Sequence, residues 1–156
     1  MRVIGIDPGY GRVGWGVVEG ERHHLACRAW GCIETVKETP MAERILHVWR
    51  TLNALLDEWS PDEMAVECLY FSKNVTTAMQ VAEFRGVIRL AAAGRGIPVA
   101  EYAPNQVKQA VTGSGRADKR QVQEMVRRIL ALETVPRPDD AADALACAVC
   151  HHHCRR

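Results

Sequence analysis

The sequence predicts an α/β fold in which a three-stranded antiparallel meander joins parallel strands in one five-stranded mixed sheet flanked by helices. Three observations carry that reading. Residues 2–6 form an apolar run ended by Asp7-Pro8-Gly9, two further strand-like runs follow at 13–18 and 25–33, and thereafter helical patterns alternate with short apolar runs. Thr39-Pro40 supplies an N-cap and a first-turn proline for a helix carrying Met41, Ile45, Val48, Trp49, Leu52, Leu55, Leu56 and Trp59, which Ser60-Pro61 ends. Met64 to Glu67 is a short strand. Residues 75–93 form a second helix, in which Met79, Ala82, Gly86 and Leu90 mark a close-packed face. Residues 97–102 are a further strand, Gln106 to Val111 a short helix, and Thr112 to Arg116 a loop. Asp118 with Gln121 three residues on is an acidic capping pattern that opens the next helix. Pro136 and Pro138 break it, and an alanine-rich helix runs from Asp139 to about Cys150.

Composition narrows the function. Of 156 residues, 47% are hydrophobic and 25% charged, values of an ordinary globular domain, and the length suits a single domain over 1–156. The net charge of +1 excludes binding nucleic acid or membrane by bulk positive charge. That balance conceals a partition: residues 1–71 carry a net −4, residues 72–132 a net +6 and residues 133–156 a net −1. No apolar run approaches the ~18 residues of a membrane span, and a signal peptide's apolar core is missing, so the expectation is a cytoplasmic protein with its six cysteines reduced.

Four constellations bear on chemistry. Gly9-Tyr-Gly11-Arg-Val-Gly14 satisfies G-x-G-x-x-G, but a dinucleotide site needs a helix to start there, and Trp15 to Val18 is a strand; a glycine-rich hairpin turn is the better reading. Asp7 and Glu67 end two apolar strands, and Asp140 and Asp143 lie one turn apart on the last helix. If the first and fourth strands are neighbours, Asp7 and Glu67 meet in the crevice at the strands' carboxyl ends, and the last helix can bring Asp140 and Asp143 across the gap. Such a set repels itself unless hard cations neutralise it; oxygen ligands suit Mg²⁺ or Mn²⁺, and two such ions about 4 Å apart are a standard device for hydrolysing phosphodiesters. Tyr70, Phe71, Lys73 and Asn74 directly after Glu67, with Lys108, Arg116 and Lys119, suit an exposed ring that stacks on a base while cations contact phosphates. The run from Cys147 to Cys154 contains C-x-x-C-H and enough Cys and His to suggest haem or zinc. Its three cysteines share one helix face and cannot surround a tetrahedral ion, so buried cysteines followed by a frayed histidine-rich end are expected.

A set of motifs runs along nearly the whole chain: Gly5-Ile-Asp-Pro-Gly9, Gly31-Cys-Ile33, Ala65-Val-Glu67 followed by Phe71-Ser-Lys73-Asn74, Arg85-Gly86, Tyr102-Ala103, Gln106-Val-Lys-Gln109, Lys119 with Gln121-Val122, Met125-Val-Arg127, and Asp140 through Ala146. Together they resemble the RuvC family of Holliday-junction resolvases. The resemblance implies an RNase H-like fold, a homodimer, Mg²⁺-dependent paired nicking of four-way DNA junctions in recombination and repair, and the branch-migration proteins RuvA and RuvB as partners. It implies Asp7, Glu67, Asp140 and Asp143 as metal-binding carboxylates, Lys108 and Lys119 as active-site lysines, and an aromatic at Tyr70 that stacks on a junction base. Adjacent Phe71 leaves open which ring does so. The alternatives are another RNase H-like nuclease and a non-catalytic junction-binding module, which the intact set of four acids argues against.

Overall fold

The structure is a computed structural model, and it describes residues 1–21, 24–68 and 75–155. Five strands, β1 (Arg2–Pro8), β2 (Arg12–Glu21), β3 (His24–Glu34), β4 (Glu63–Glu67) and β5 (Val99–Tyr102), form one sheet in the order β3-β2-β1-β4-β5. The first three pair antiparallel, and β1–β4 and β4–β5 pair parallel. The predicted meander and the predicted adjacency of the first and fourth strands are both present.

Helices α1 (Met41–Trp59) and α2 (Val75–Ala93) cover one face; α3 (Pro104–Thr112), α4 (Lys119–Ile129) and α5 (Asp139–Cys154) cover the other. The pleat sends alternate residues to opposite faces. Ile4, Ile6, Val17, Met64 and Val66 pack with Val48, Leu52 and Leu56 of α1 and Phe84 and Ile88 of α2. Val3, Val18 and Ala65 pack with Val107, Val122, Val126, Leu145 and Val149 of the other three helices. With both faces covered, β1 and β4 are buried on either side, which is why they read as continuous apolar runs.

Local signals set most helix ends. The Asp118 side chain accepts from the Gln121 backbone N–H at 2.8 Å and Gln121 Oε1 accepts from the Asp118 N–H at 2.9 Å, the reciprocal cap expected for α4. Ser60, at φ 43, ends α1 with its N–H on the Leu56 carbonyl. Three expectations need correction. Pro40 is itself the N-cap of α1, and no side chain caps that helix. In α2, Met79, Ala82, Gly86 and Leu90 face outward: Met79 is 64% and Leu90 62% exposed, and the helix packs through Val81, Phe84 and Ile88 instead. Phe84 and Ile88, with Ala91 and Ala92, fill the face turned to the sheet and α1.

The third correction concerns the C-terminal end. Helix α5 continues through the histidines to Cys154, and His151 and His152 are buried. His151 Nδ1 meets the Tyr102 hydroxyl at 2.8 Å and its Nε2 meets Glu63 Oε2 at 2.6 Å, while Arg155 holds the other Glu63 oxygen at 2.6 Å. His152 Nε2 reaches the Val18 carbonyl at 3.3 Å, and His153 Nδ1 the Ala110 carbonyl at 3.0 Å. Partners on β2, β4, β5 and α3 thus hold an end whose composition suggested fraying. Cys147 and Cys150 are buried as expected. Among the described residues no helix is long and apolar enough to cross a membrane.

Candidate active site

Side-chain alternation brings the acids together. On β1 the residues facing α5 are Val3, Gly5 and Asp7; on β4, where Gly5 lies opposite Ala65 and Ile6 opposite Val66, the matching residues are Ala65 and Glu67. One step past that register, Asp7 and Glu67 stand side by side at the carboxyl ends of adjacent strands. Helix α5 completes the set by lying almost on the backbone of β1 and β2. A Cβ on Gly5 would sit 2.0 Å from the Ala144 carbonyl oxygen, and one on Gly14 would sit 2.1 Å from that of Asp140. Only hydrogen fits at either position, so these glycines set the depth at which the first turn of α5 carries Asp140 and Asp143. Gly14 therefore packs against a helix, whereas Gly11, at φ 79, makes the turn.

The electrostatics of the cluster are strained. Asp7 is only 9% exposed. Burial raises its pKa strongly, and the charges of Glu67, Asp143 and Asp140 push the same way. Burial and Asp143 also raise Glu67, against the pull of its hydrogen bond with Asp7 and of Lys108 and Lys119. Burial and mutual repulsion thus draw both carboxyls of the hydrogen-bonded pair toward the protonated form. Asp143 is raised by burial despite Lys119. The Lys119 Nζ lies 3.2 Å from Asp143 and 3.4 Å from Asp139; burial works to lower its pKa, but the two carboxylates outweigh it and the ammonium is held.

Glu67, Asp143, Lys108 and Lys119 line one cleft of about 210 Å³ with Pro104, Val107, Val122 and Ala146. Both predicted lysines thus face the acids. Arg116 does not: it lies with Arg120 and Arg128 along a separate shallow groove on α4. Tyr70, Phe71, Lys73 and Asn74 lie outside the described residues. Sequence reasoning missed Arg12, 3.9 Å from Asp140, and Asp139, which Lys119 contacts and whose carboxylate the buried Gln123 side chain bonds. The doubled acid Asp139-Asp140 was the available signal for the latter; Arg12 had none beyond its place in the turn.

The donor set fits a hard divalent cation. It is all oxygen and largely buried, and the upward push on Asp7, Glu67 and Asp143 reflects how little positive charge surrounds them. Among the described residues no three Asp, Glu, His or Cys side chains are closed around one point as a ready-made cage. Cation binding here would therefore displace a proton from the Asp7–Glu67 pair and loosen Asp143 from Lys119.

Known proteins resemble this chain in sequence and fold. The family model described as crossover junction endodeoxyribonuclease RuvC matches residues 3–151. The RuvC of Chloroflexus aurantiacus is 54% identical over 151 residues, covering 97% of this chain and 92% of its own length; that of Thermotoga petrophila is 51% identical with the same coverage. Among solved structures, the Thermus thermophilus RuvC in complex with a Holliday junction substrate superimposes with a TM-score of 0.94 at 37% identity, covering 98% of this chain and 93% of that one. A yeast mitochondrial Holliday junction resolvase, at 14% identity and a TM-score of 0.64, shares the fold. With an α/β, RNase H-like sheet matched along nearly its whole length, this chain belongs to the RuvC family of crossover junction endodeoxyribonucleases.

Proposed function

We propose that the chain resolves four-way DNA junctions by hydrolysing one phosphodiester in each of two opposed strands. The observation that carries this is the convergence of Asp7, Glu67, Asp140 and Asp143 at one end of the sheet, with two lysines on the wall of the same cleft. The junction bound by the T. thermophilus relative supplies the substrate class. Asp7, Glu67, Asp140 and Asp143 would hold two divalent ions, Mg²⁺ or in its place Mn²⁺. Bound there, such ions lower the pKa of water and neutralise charge on the leaving oxygen.

The protein's own part is positioning and charge. The rigid first turn of α5, set by Gly5 and Gly14, fixes two acids against the two on the strands. Lys119, tied to Asp143 and Asp139, presents an ammonium where charge gathers on the phosphoryl group, and Lys108 presents a second from α3. A bond forms from the water oxygen to phosphorus as the bond to the 3′-oxygen breaks. The water's proton leaves to solvent and the 3′-oxygen takes one up, giving a 5′-phosphate and a 3′-hydroxyl. Further DNA contacts fall to Arg116 and to Tyr70, Phe71, Lys73 and Asn74, in the basic middle segment or at its edge.

Paired nicks need paired sites, so the working unit is a C2 homodimer. The outward Met79, Ala82, Gly86 and Leu90 face of α2 is its interface. Small residues there let two copies of the helix approach closely. RuvA and RuvB are the partners that family membership supports, and the cytoplasm is the compartment for a nuclease of chromosomal junctions. The deciding experiment compares an end-labelled four-way junction with an RNA–DNA hybrid in Mg²⁺, Mn²⁺ and Ca²⁺. Symmetric junction nicks with Mg²⁺ or Mn²⁺, junction binding without efficient cutting in Ca²⁺, and an inert hybrid are expected; hybrid cleavage would assign a different nuclease.

A further inference from the structure

The turn between β1 and β2 carries an exposed aromatic that none of the chemistry above uses. Tyr10, three residues after Asp7, is 40% exposed. One side of its ring is occupied: the Arg44 guanidinium lies 5.6 Å from the ring centroid. Arg44 is 3% exposed, unusually deep for a cation. It is fixed by the Phe84 ring at 5.5 Å and by its Nε–H donating to Thr35 Oγ1 at 3.0 Å, while the Thr35 hydroxyl donates to the Gly11 carbonyl at 3.0 Å. Its Nη2 is buried and has no hydrogen-bond partner. Burying a guanidinium with an unpartnered nitrogen costs stability, and what the cation gains here is contact with two aromatic rings.

The turn borders the acid cluster. A Cβ on Gly9 would stand 3.5 Å from Asp140 Oδ1. Tyr10 follows Gly9 in this turn and is a flat, pre-oriented apolar surface whose backing, Arg44 and Phe84, lies on the α1–α2 side of the sheet. Its own chain supports it from behind, and the ordering cost of a free side chain is already met.

We propose that Tyr10, backed by Arg44, is a stacking platform for a nucleobase of the junction strand beside the scissile phosphate. The proposal rests on the junction reading above and adds to it a specificity contact from the turn between β1 and β2. A ring accepts any base, but the larger purine faces bury more of it, so the platform biases which nucleotide flanks the nick.

The test uses four-way junctions carrying 2-aminopurine at each nucleotide flanking the mapped nick, with wild-type protein and with Tyr10→Phe and Tyr10→Ala, bound in Ca²⁺ and turned over in Mg²⁺. The expected result is fluorescence quenching at one position on wild-type binding. Tyr10→Phe keeps it, which assigns the effect to the ring and not the hydroxyl. Tyr10→Ala loses it and raises KM roughly ten-fold, with a smaller change in kcat. Quenching and KM unchanged in Tyr10→Ala overturn the platform and leave junction cleavage standing, as does a lowered Tm in Tyr10→Ala with unchanged quenching. Wild-type protein that neither binds nor cuts the junction overturns both readings.

Discussion

The two ends of helix α5 hold equally dense groups of ionisable residues under opposite conditions. At the C-terminal end, both ring nitrogens of His151 are matched, Glu63 is shared between His151 and Arg155, and His152 and His153 each reach a backbone carbonyl. At the N-terminal end, burial and mutual repulsion raise the pKa values of Asp7, Glu67 and Asp143, and Lys119 answers them only in part. Burial is common to both, so burial does not distinguish structural from chemical clusters. What distinguishes them is whether the fold supplies its own counter-charges. The satisfied end fastens the helix, and the unsatisfied end is poised for something from outside.

Substitutions at the two ends should therefore move different quantities. The largest effect is expected from Asp7→Asn, with nicking falling by roughly 10³-fold while gel-shift affinity for the junction stays within about two-fold, because positioning rests on other phosphate contacts. Loss of binding would place Asp7 among the structural residues and erase the contrast. Gly14→Ala comes next. Its methyl has to displace the first turn of α5, so a destabilisation of about 3 kcal/mol is expected, seen as a lower midpoint in denaturant together with lost nicking. An unchanged midpoint would show that α5 can back away freely.

His151→Ala should cost about 2–3 kcal/mol by leaving the Tyr102 hydroxyl and one Glu63 oxygen unmatched, with kcat per folded molecule unchanged. A fall in kcat with full stability would show that the two ends communicate. Lys108→Ala should lower kcat/KM by about ten-fold, and Lys119→Ala by somewhat more, since Lys119 is ion-paired with the site carboxylate Asp143; equal activity in steady-state assays would remove either lysine from the site.

The smallest effect is on stability against pH. The raised pKa of Asp7 means that the folded, metal-free chain binds more protons than the unfolded chain between 3.8, the ordinary aspartate value, and about 8. Across that window stability must fall as pH rises. The expected result is a Tm that falls as pH is raised from 5 to 8. Asp7→Asn should flatten the slope, and saturating Mg²⁺ should reduce it. A Tm that rises with pH over this interval would mean that the acids are neutralised by the chain itself.

How much of this was legible in the sequence follows the range of the interactions. Strand ends at Asp7 and Glu67, the Asp118–Gln121 cap and the 75–93 span of α2 depend on neighbours a few residues away, and the local pattern states them. The meeting of the four acids needed two further assumptions, that the first and fourth strands are adjacent and that the last helix docks across their carboxyl ends. The histidine cluster was not legible, because His151 meets Glu63 across 88 positions and a polar C-terminal string has the same composition whether frayed or docked. Gly14 was misread because a glycine that makes a turn and one that admits a helix look alike in sequence. On α2, the outward small-residue face was taken for the packed one, since the period of a helix identifies its faces without saying which is turned to the core.

Gly5 and Gly14 also have a bearing on how the activity first arises. They lie in the first fifteen residues, yet the helix they admit begins at Asp139, so the two halves of the carboxylate set are joined by a contact spanning most of the chain. While the chain is being synthesised, strands β1 and β4 can emerge and pair without forming a nuclease. The acid set assembles only when α5 docks, and α5 is also the central element of one hydrophobic core. On the proposed carboxylate site, cutting therefore becomes possible only as the fold completes.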